Sequence, residues 1–221
     1  AVFKRHHVLL RTLRRAARAG RPLRVAMVGA DNAELRALIA HFGVERLVDV
    51  FGRVSQAEVN RIVNQSYVTL LLALQEGGNR SIFEGYFADV PALVLRRNVG
   101  VDKRCINAQT GRLIHERELA EAIRWCRDHA ADFAPRAWAL AHIGPEHATR
   151  KLNDALITLA QRRGEPWTRD IVTMCTRPER AYYPDASVGR GLSRFADILC
   201  RYARTPQVRD ALERGLGAHE P

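Results

Sequence analysis

The sequence predicts an α/β protein built on a doubly wound parallel sheet, followed by a helical C-terminal extension. Three observations predict it. Short apolar runs of about four to eight residues recur through the first half of the chain. Segments of about ten residues with helical apolar spacing separate them. Glycine, proline or a helix-capping side chain stands at the junctions. Alternation of this kind marks βαβ units, in which ligands bind at the carboxyl ends of the strands.

The elements follow in order. Residues 4–18 read as an amphipathic helix with Leu9, Leu10, Leu13 and Ala17 as the inward stripe, stopped by Gly20 and Pro22. Residues 23–28 form a buried strand ending in Gly29. Asp31 or Asn32 caps a helix over 33–42, which Gly43 ends. A strand over 47–51 closes at Gly52, and the capping-box pattern Ser55-Gln56-Ala57-Glu58 opens a helix to about residue 65. The most strand-like run is 67–74. A glycine-containing loop over 75–80, a short helix over 81–88 and a strand over 92–95 behind Pro91 complete the alternating part. Past Asn98 the pattern turns helical, over 116–129, 135–142 and 145–162, and Trp125, Trp138 and Trp167 are expected to pack rather than bind. Residues 165–190 are irregular, and helices are expected over 192–204 and 207–216. The domain boundary is accordingly drawn at 164, with 165–221 as an appendage.

A doubly wound half-domain ordinarily opens on a strand, yet this chain opens almost directly on a helix. Its leading strand is therefore expected to be missing or reduced to residues 1–3, and the chain to be cut from a longer protein.

Composition sets the outer bounds. Apolar residues make up 47% and charged residues 27% of 221 residues, enough to bury a core without disulfides or a structural metal. Cys105, Cys126, Cys175 and Cys200 form no CxxC pair, so free thiols in a reducing compartment are expected. No apolar run approaches the roughly 18–20 residues that span a bilayer. These features point to the cytoplasm. The net charge of +11 calls for an anionic partner: a phosphorylated substrate, nucleic acid, or the inner face of an anionic membrane touched peripherally. The densest basic group, Arg11, Arg14, Arg15 and Arg18, reads as one solvated helix face. No RNP, KH or zinc-finger signature is present and aromatics do not interleave with the basic residues, so nucleic acid is not the expected partner.

The chemistry is concentrated in residues 71–85, a strand, a glycine loop and a helix start. Gly77 and Gly78 let the backbone approach a ligand. The amides of Ser81, Ile82 and Phe83 lie at a helix N-terminus, whose unpaired N–H groups and partial positive charge suit a phosphate. Glu76 stands before the glycines and Glu84 one turn inside the helix. The two carboxylates are thus placed to flank a diphosphate, each able to accept from hydroxyl groups. Spacing alone is a weak signal; the surrounding strand, glycines and helix start give it meaning.

Glu76-Gly-Gly-Asn-Arg-Ser-Ile-Phe-Glu84-Gly, followed by Ala88-Asp-Val-Pro91-Ala-Leu-Val, resembles the Glu-x7-Glu motif of the C-terminal, Rossmann-like domain of GT-B retaining glycosyltransferases of the family 4 type. Lys4 matches the family's diphosphate-contacting lysine at a helix start, Val25-Ala26-Met27-Val28-Gly29 its glycine-ended strand, and Phe51-Gly52-Arg53-Val54 its nucleobase segment. The resemblance covers about residues 3–160 and is specific only at 76–91. It implies that Glu84 binds the ribose, that Glu76 faces the transferred sugar, and that Lys4 with Arg5 neutralises the diphosphate leaving group. It further implies that Gly77, Gly78, Asn79, Arg80, Ser81, Ile82 and Phe83 cradle the phosphates, and that Arg53, Val54 and Gly29 border the nucleotide. The implied donor is a UDP- or GDP-linked sugar used without a metal or other cofactor.

Gly78, Asn79 and Ala73 depart from the family pattern, Arg80 is an added cation, and the 96–100 loop is more basic than usual. His6 and His7 neighbour the site and are expected at the surface. The implied acceptor site belongs to an N-terminal domain of the same polypeptide, toward which the helix over 192–204 would return. That helix would leave Leu192, Phe195, Leu199 and Tyr202 partly exposed. The implied activity is glycosyl transfer to a polysaccharide or glycoconjugate, and the alternative is a non-catalytic nucleotide-sugar-binding or assembly module of the same fold.

Overall fold

The computed structural model describes residues 4–29, 31–78, 80–173 and the backbone of two short strands at 175–176 and 181–182. The expected leading strand over 1–3, the helices over 192–204 and 207–216 and the apolar patch on the first of these lie outside the described residues, as does Asn79. The chain divides into two compact units, Ala1–His142 and Ile143–Pro221. The packing boundary thus falls one helix before residue 164.

The first unit runs α1 (His6–Arg18), β1 (Val25–Val28), α2 (Ala33–Phe42), β2 (Val48–Phe51), α3 (Gln56–Asn64), β3 (Thr69–Leu71), α4 (Arg80–Phe87), β4 (Ala92–Leu95), β5 (Gly111–Ile114), α5 (Leu119–Asp128) and α6 (Pro135–His142). Every strand pairing here is parallel. β1 pairs with β2, with Val25 opposite Val48; β3, β4 and β5 form a second ladder with β4 in the centre. All four residues of β4 are buried, as a strand covered on both faces requires. Helix α1 touches α2 and α5, whereas α3, α4 and α6 form a separate contact group. This is the doubly wound α/β arrangement the sequence predicts.

One core serves both ladders. Val8, Leu9, Leu10 and Leu13 of α1 pack with Met27 and Val48 on one side and with Leu72, Leu93, Leu95 and Ile114 on the other. The inward stripe of α1 ends on Ala16, which is buried, and not on Ala17, which is exposed. Asn32 is the cap of α2, accepting from the Leu35 amide at 2.9 Å, while Asp31 pairs with Arg36. Ser55 caps α3, but Glu58 turns to Arg61 instead of completing the box.

Three expectations are corrected. The strand expected over 67–74 is only Thr69–Leu71, because the chain leaves β4 there to build a loop. A strand, β5, occupies part of the stretch expected to be helical after Asn98. It carries little local pattern and exists through its pairing with β4. Gly111 makes that pairing possible: its φ is +149°, and a Cβ there would overlap the Ala92 carbonyl oxygen. Finally, the helix expected from 116 begins as a 3-10 turn over Glu116–Glu118, with α5 proper starting at Leu119.

Trp125 stacks on His129 and takes the Arg112 guanidinium 4.3 Å from its ring centre; Trp138 packs edge-on against Tyr86. Trp167, in the second unit, is exposed and donates its indole N–H to Asp170. That unit holds α7 (Pro145–Arg163) and an antiparallel pair, β6 (Cys175–Thr176) with β7 (Ala181–Tyr182), within the stretch expected to be irregular.

Candidate functional site

Parallel strands deliver their following loops to one end of each ladder, so β3, β4 and β5 present residues 72–78, 96–102 and 115–118 together. The first two loops are locked to each other. The Val99 amide donates to the Leu74 carbonyl at 2.8 Å, and the Glu76 amide donates to the Val99 carbonyl at 3.0 Å. Asn98 is wholly buried; its Nδ2 donates to the Ala73 carbonyl at 2.9 Å and its Oδ1 accepts from the Val101 amide at 3.3 Å. A buried amide satisfied on both sides fixes the exit of β3 to the exit of β4.

Lys4 and Glu76 meet across this loop. The Lys4 ammonium lies 2.6 and 2.8 Å from the two carboxylate oxygens of Glu76. The Glu76 side chain is 18% exposed and that of Lys4 is 48% exposed, so the pair opens to solvent on the lysine side. The two residues singled out for catalysis are therefore brought into direct contact from 72 positions apart. Arg5, the neighbour of Lys4, goes elsewhere. Its backbone is left-handed, with φ 55° and ψ 39°, and its guanidinium sits 2.7 Å from Glu116 at the exit of β5. A left-handed non-glycine residue costs about 1–2 kcal/mol, which the packing around it must offset.

Helix α4 begins at Arg80 and buries Ile82, Gly85 and Tyr86. Arg80, Ser81 and Glu84 lie on the exposed side, and Glu84 is one turn in. No hydrogen bond or ion pair engages the Glu84 carboxylate among the described residues. Tyr86 anchors the helix by donating its hydroxyl to the Cys105 carbonyl at 2.9 Å; burial holds its phenol protonated far above the ordinary range. Gly77 and Gly78 are exposed, with open space where a Cβ would stand.

Gly29, Arg53 and Val54 gather at the exits of β1 and β2. The Gly29 amide donates to the Phe51 and Gly52 carbonyls, and Arg53 is exposed beside half-buried Val54. His6 and His7 are half-buried instead of lying at the surface; desolvation lowers the pKa of His6 and favours its neutral form.

Glu116 is a residue that the sequence hides, because it reads there as the first position of a helix. In the structure its carboxylate contacts three arginines, Arg5 at 2.7 Å, Arg97 at 2.6 Å and Arg11 at 3.7 Å. Hydrogen bonding from Arg5, with further help from Arg97, holds its carboxyl below the ordinary range. A carboxyl whose folded pKa is depressed stabilises the fold above its unfolded pKa, about 4.3, and loses that contribution as pH falls through the folded value. Glu116→Gln should therefore lower the melting temperature at neutral pH. The gap from the parent should narrow as melts are repeated at falling acidic pH, where Glu116 takes up its proton.

Comparison with solved structures places the fold. The chain resembles the pneumococcal O-GlcNAc transferase GtfA in complex with UDP and GlcNAc (TM-score 0.50, 20% identity, 63% of this chain and 29% of that one). It resembles WaaG, a glycosyltransferase involved in lipopolysaccharide biosynthesis (TM-score 0.50, 21% identity, 62% and 39%). Sucrose-phosphate synthase from Thermosynechococcus elongatus is a third match (TM-score 0.54, 16% identity, 69% and 42%). The chain thus spans less than half the length of each, and its fold is the Rossmann-like α/β half of a GT-B glycosyltransferase. No curated protein sequence matches it. Residues 3–129, more than half of the chain, match the family model of glycosyl transferases group 1, and the chain belongs to that family. Among the described residues no helix is long and apolar enough to cross a membrane.

Proposed function

We propose that this chain is the donor-binding domain of a retaining, hexosyl-transferring enzyme, holding a UDP- or GDP-linked sugar over the loop between β3 and α4. The observation that carries the reading is the Lys4–Glu76 pair at the carboxyl end of β3, beside the N-terminus of α4. A diphosphate entering there would be met by the Lys4 ammonium and by the amides of residues 77–83. The free carboxylate of Glu84 is available to accept from the two ribose hydroxyls. Glu76, released from Lys4 by the incoming negative charge, would turn to hydroxyls of the sugar. Arg53, Val54 and Gly29 would border the nucleotide.

As the bond from the sugar's anomeric carbon to the diphosphate oxygen breaks, its electron pair stays on the diphosphate. Lys4 and the α4 amides would stabilise that charge. This accounting needs no metal. The acceptor, in this reading a polysaccharide or glycoconjugate of a bacterial surface, would approach from an N-terminal domain of the same polypeptide, at the inner face of the membrane.

In a polypeptide carrying both domains, Lys4→Ala should lower kcat by roughly 100- to 1000-fold while nucleotide still binds. Transfer at the parent rate would overturn the catalytic assignment of Lys4, whereas nucleotide binding without any transfer by the parent would leave the non-catalytic binding module as the reading.

A further inference from the structure

We infer that Arg5, Arg11 and Arg97 form a second anion site, at the exits of β4 and β5, which takes a phosphate group other than the donor's diphosphate. Three guanidinium groups converge on the single carboxylate of Glu116. One negative charge cannot neutralise three positive ones, so the cluster stays cationic after its internal partner is counted. Arg5 is its most buried member, with a side chain 12% exposed. Its Nη1 lies 2.7 Å from a Glu116 oxygen, so the most buried cation of the cluster is held by the one carboxylate that an incoming anion would compete with. The guanidinium N–H donors in excess of that carboxylate favour a further anionic acceptor.

The space for such an acceptor is present. Leu95, Arg97, Ile114, His115, Glu116 and Arg117 line a recess of about 480 Å³, within the range of small-ligand sites. Arg97 and Glu116 belong both to the recess and to the cluster. The guanidinium fork favours a phosphate, whose oxygens it can meet two at a time. The arrangement also separates the cations of the chain's start: Lys4 serves the Glu76 loop, whereas Arg5, one residue on, serves Glu116. Two anions can then be held side by side, the donor's diphosphate and a phosphate borne by a second substrate. That substrate is either a soluble phosphorylated sugar or a lipid-linked one; the phosphate is common to both.

The test is calorimetry with inorganic pyrophosphate on the chain saturated with UDP, which fills the proposed donor loop. Pyrophosphate should still bind. Arg97→Ala should weaken it about tenfold or more, a safe change because that side chain is 62% exposed. Glu116→Gln should tighten it, since the internal competitor loses its charge. Sedimentation with phosphatidylcholine vesicles containing phosphatidic acid separates the sources: Arg97-dependent pelleting assigns the phosphate to a lipid, and no pelleting assigns it to a soluble substrate. The same titration without UDP keeps this inference independent of the donor reading. Heat lost in Arg97→Ala but kept in Lys4→Ala, which removes the donor loop's own cation, supports the second site even where UDP fails to bind. No pyrophosphate binding, or binding unchanged by Arg97→Ala, overturns it.

Discussion

Gly100→Ala is expected to destabilise the protein by about 2–4 kcal/mol and to disorder the Glu76 loop at the same time. Gly100 has a φ of +110°, a region that side-chain-bearing residues rarely adopt, and a Cβ there would overlap the carbonyl oxygen of Glu76. The overlap is with backbone, which cannot rotate away as a side-chain end could. Relief must come from moving the 96–101 loop off the 74–77 loop. That breaks the Val99–Leu74 and Glu76–Val99 hydrogen bonds and withdraws Glu76 from Lys4. For a chain of this size the melting temperature should fall by roughly 5–10 °C. Thermal unfolding checks the first consequence and nucleotide titration the second. An unchanged melting temperature would show that the two loops are not in contact.

The second large effect is expected at Glu84. Its carboxylate is exposed on α4 and has no hydrogen-bond or ion-pair partner among the described residues, so Glu84→Ala should leave the fold intact. Nucleotide affinity should nevertheless fall by about 10- to 100-fold, the loss of charge-assisted hydrogen bonds to the ribose. Deoxynucleotides provide the control. A donor nucleotide lacking a ribose hydroxyl should bind the parent as weakly as the intact nucleotide binds Glu84→Ala, and the two changes should not add. Additive losses would place Glu84 away from the ribose.

Much of this was legible in the residues. The apolar run at Ala92–Leu95 is a strand buried at every residue, whereas the strand Val25–Val28, expected to be buried, buries only Met27 and leaves Ala26 and Val28 exposed; Gly43 and Ser55 end and begin helices where their chemistry requires. The Glu76 and Glu84 positions likewise follow from strand, glycine pair and helix start. What was illegible depends on distant partners. β5 carries only four residues and is made by its register with Ala92–Leu95. Asn98 resembles any turn asparagine until the Ala73 carbonyl is found against it. Glu116 looks like an ordinary residue of a helix's first turn, and only folding brings Arg5, Arg11 and Arg97 to it. The left-handed backbone of Arg5, which accompanies the parting of its guanidinium from Lys4, has no sequence signal because arginine rarely adopts it.

The central claim is that the loop from Gly77 into α4 holds the diphosphate of a nucleotide. Amide hydrogen exchange of the chain with and without saturating UDP or GDP tests it most directly. Slowed exchange at residues 77–84, with the 115–118 loop little changed, is the predicted result. Unchanged exchange across 77–84 with both nucleotides would contradict it.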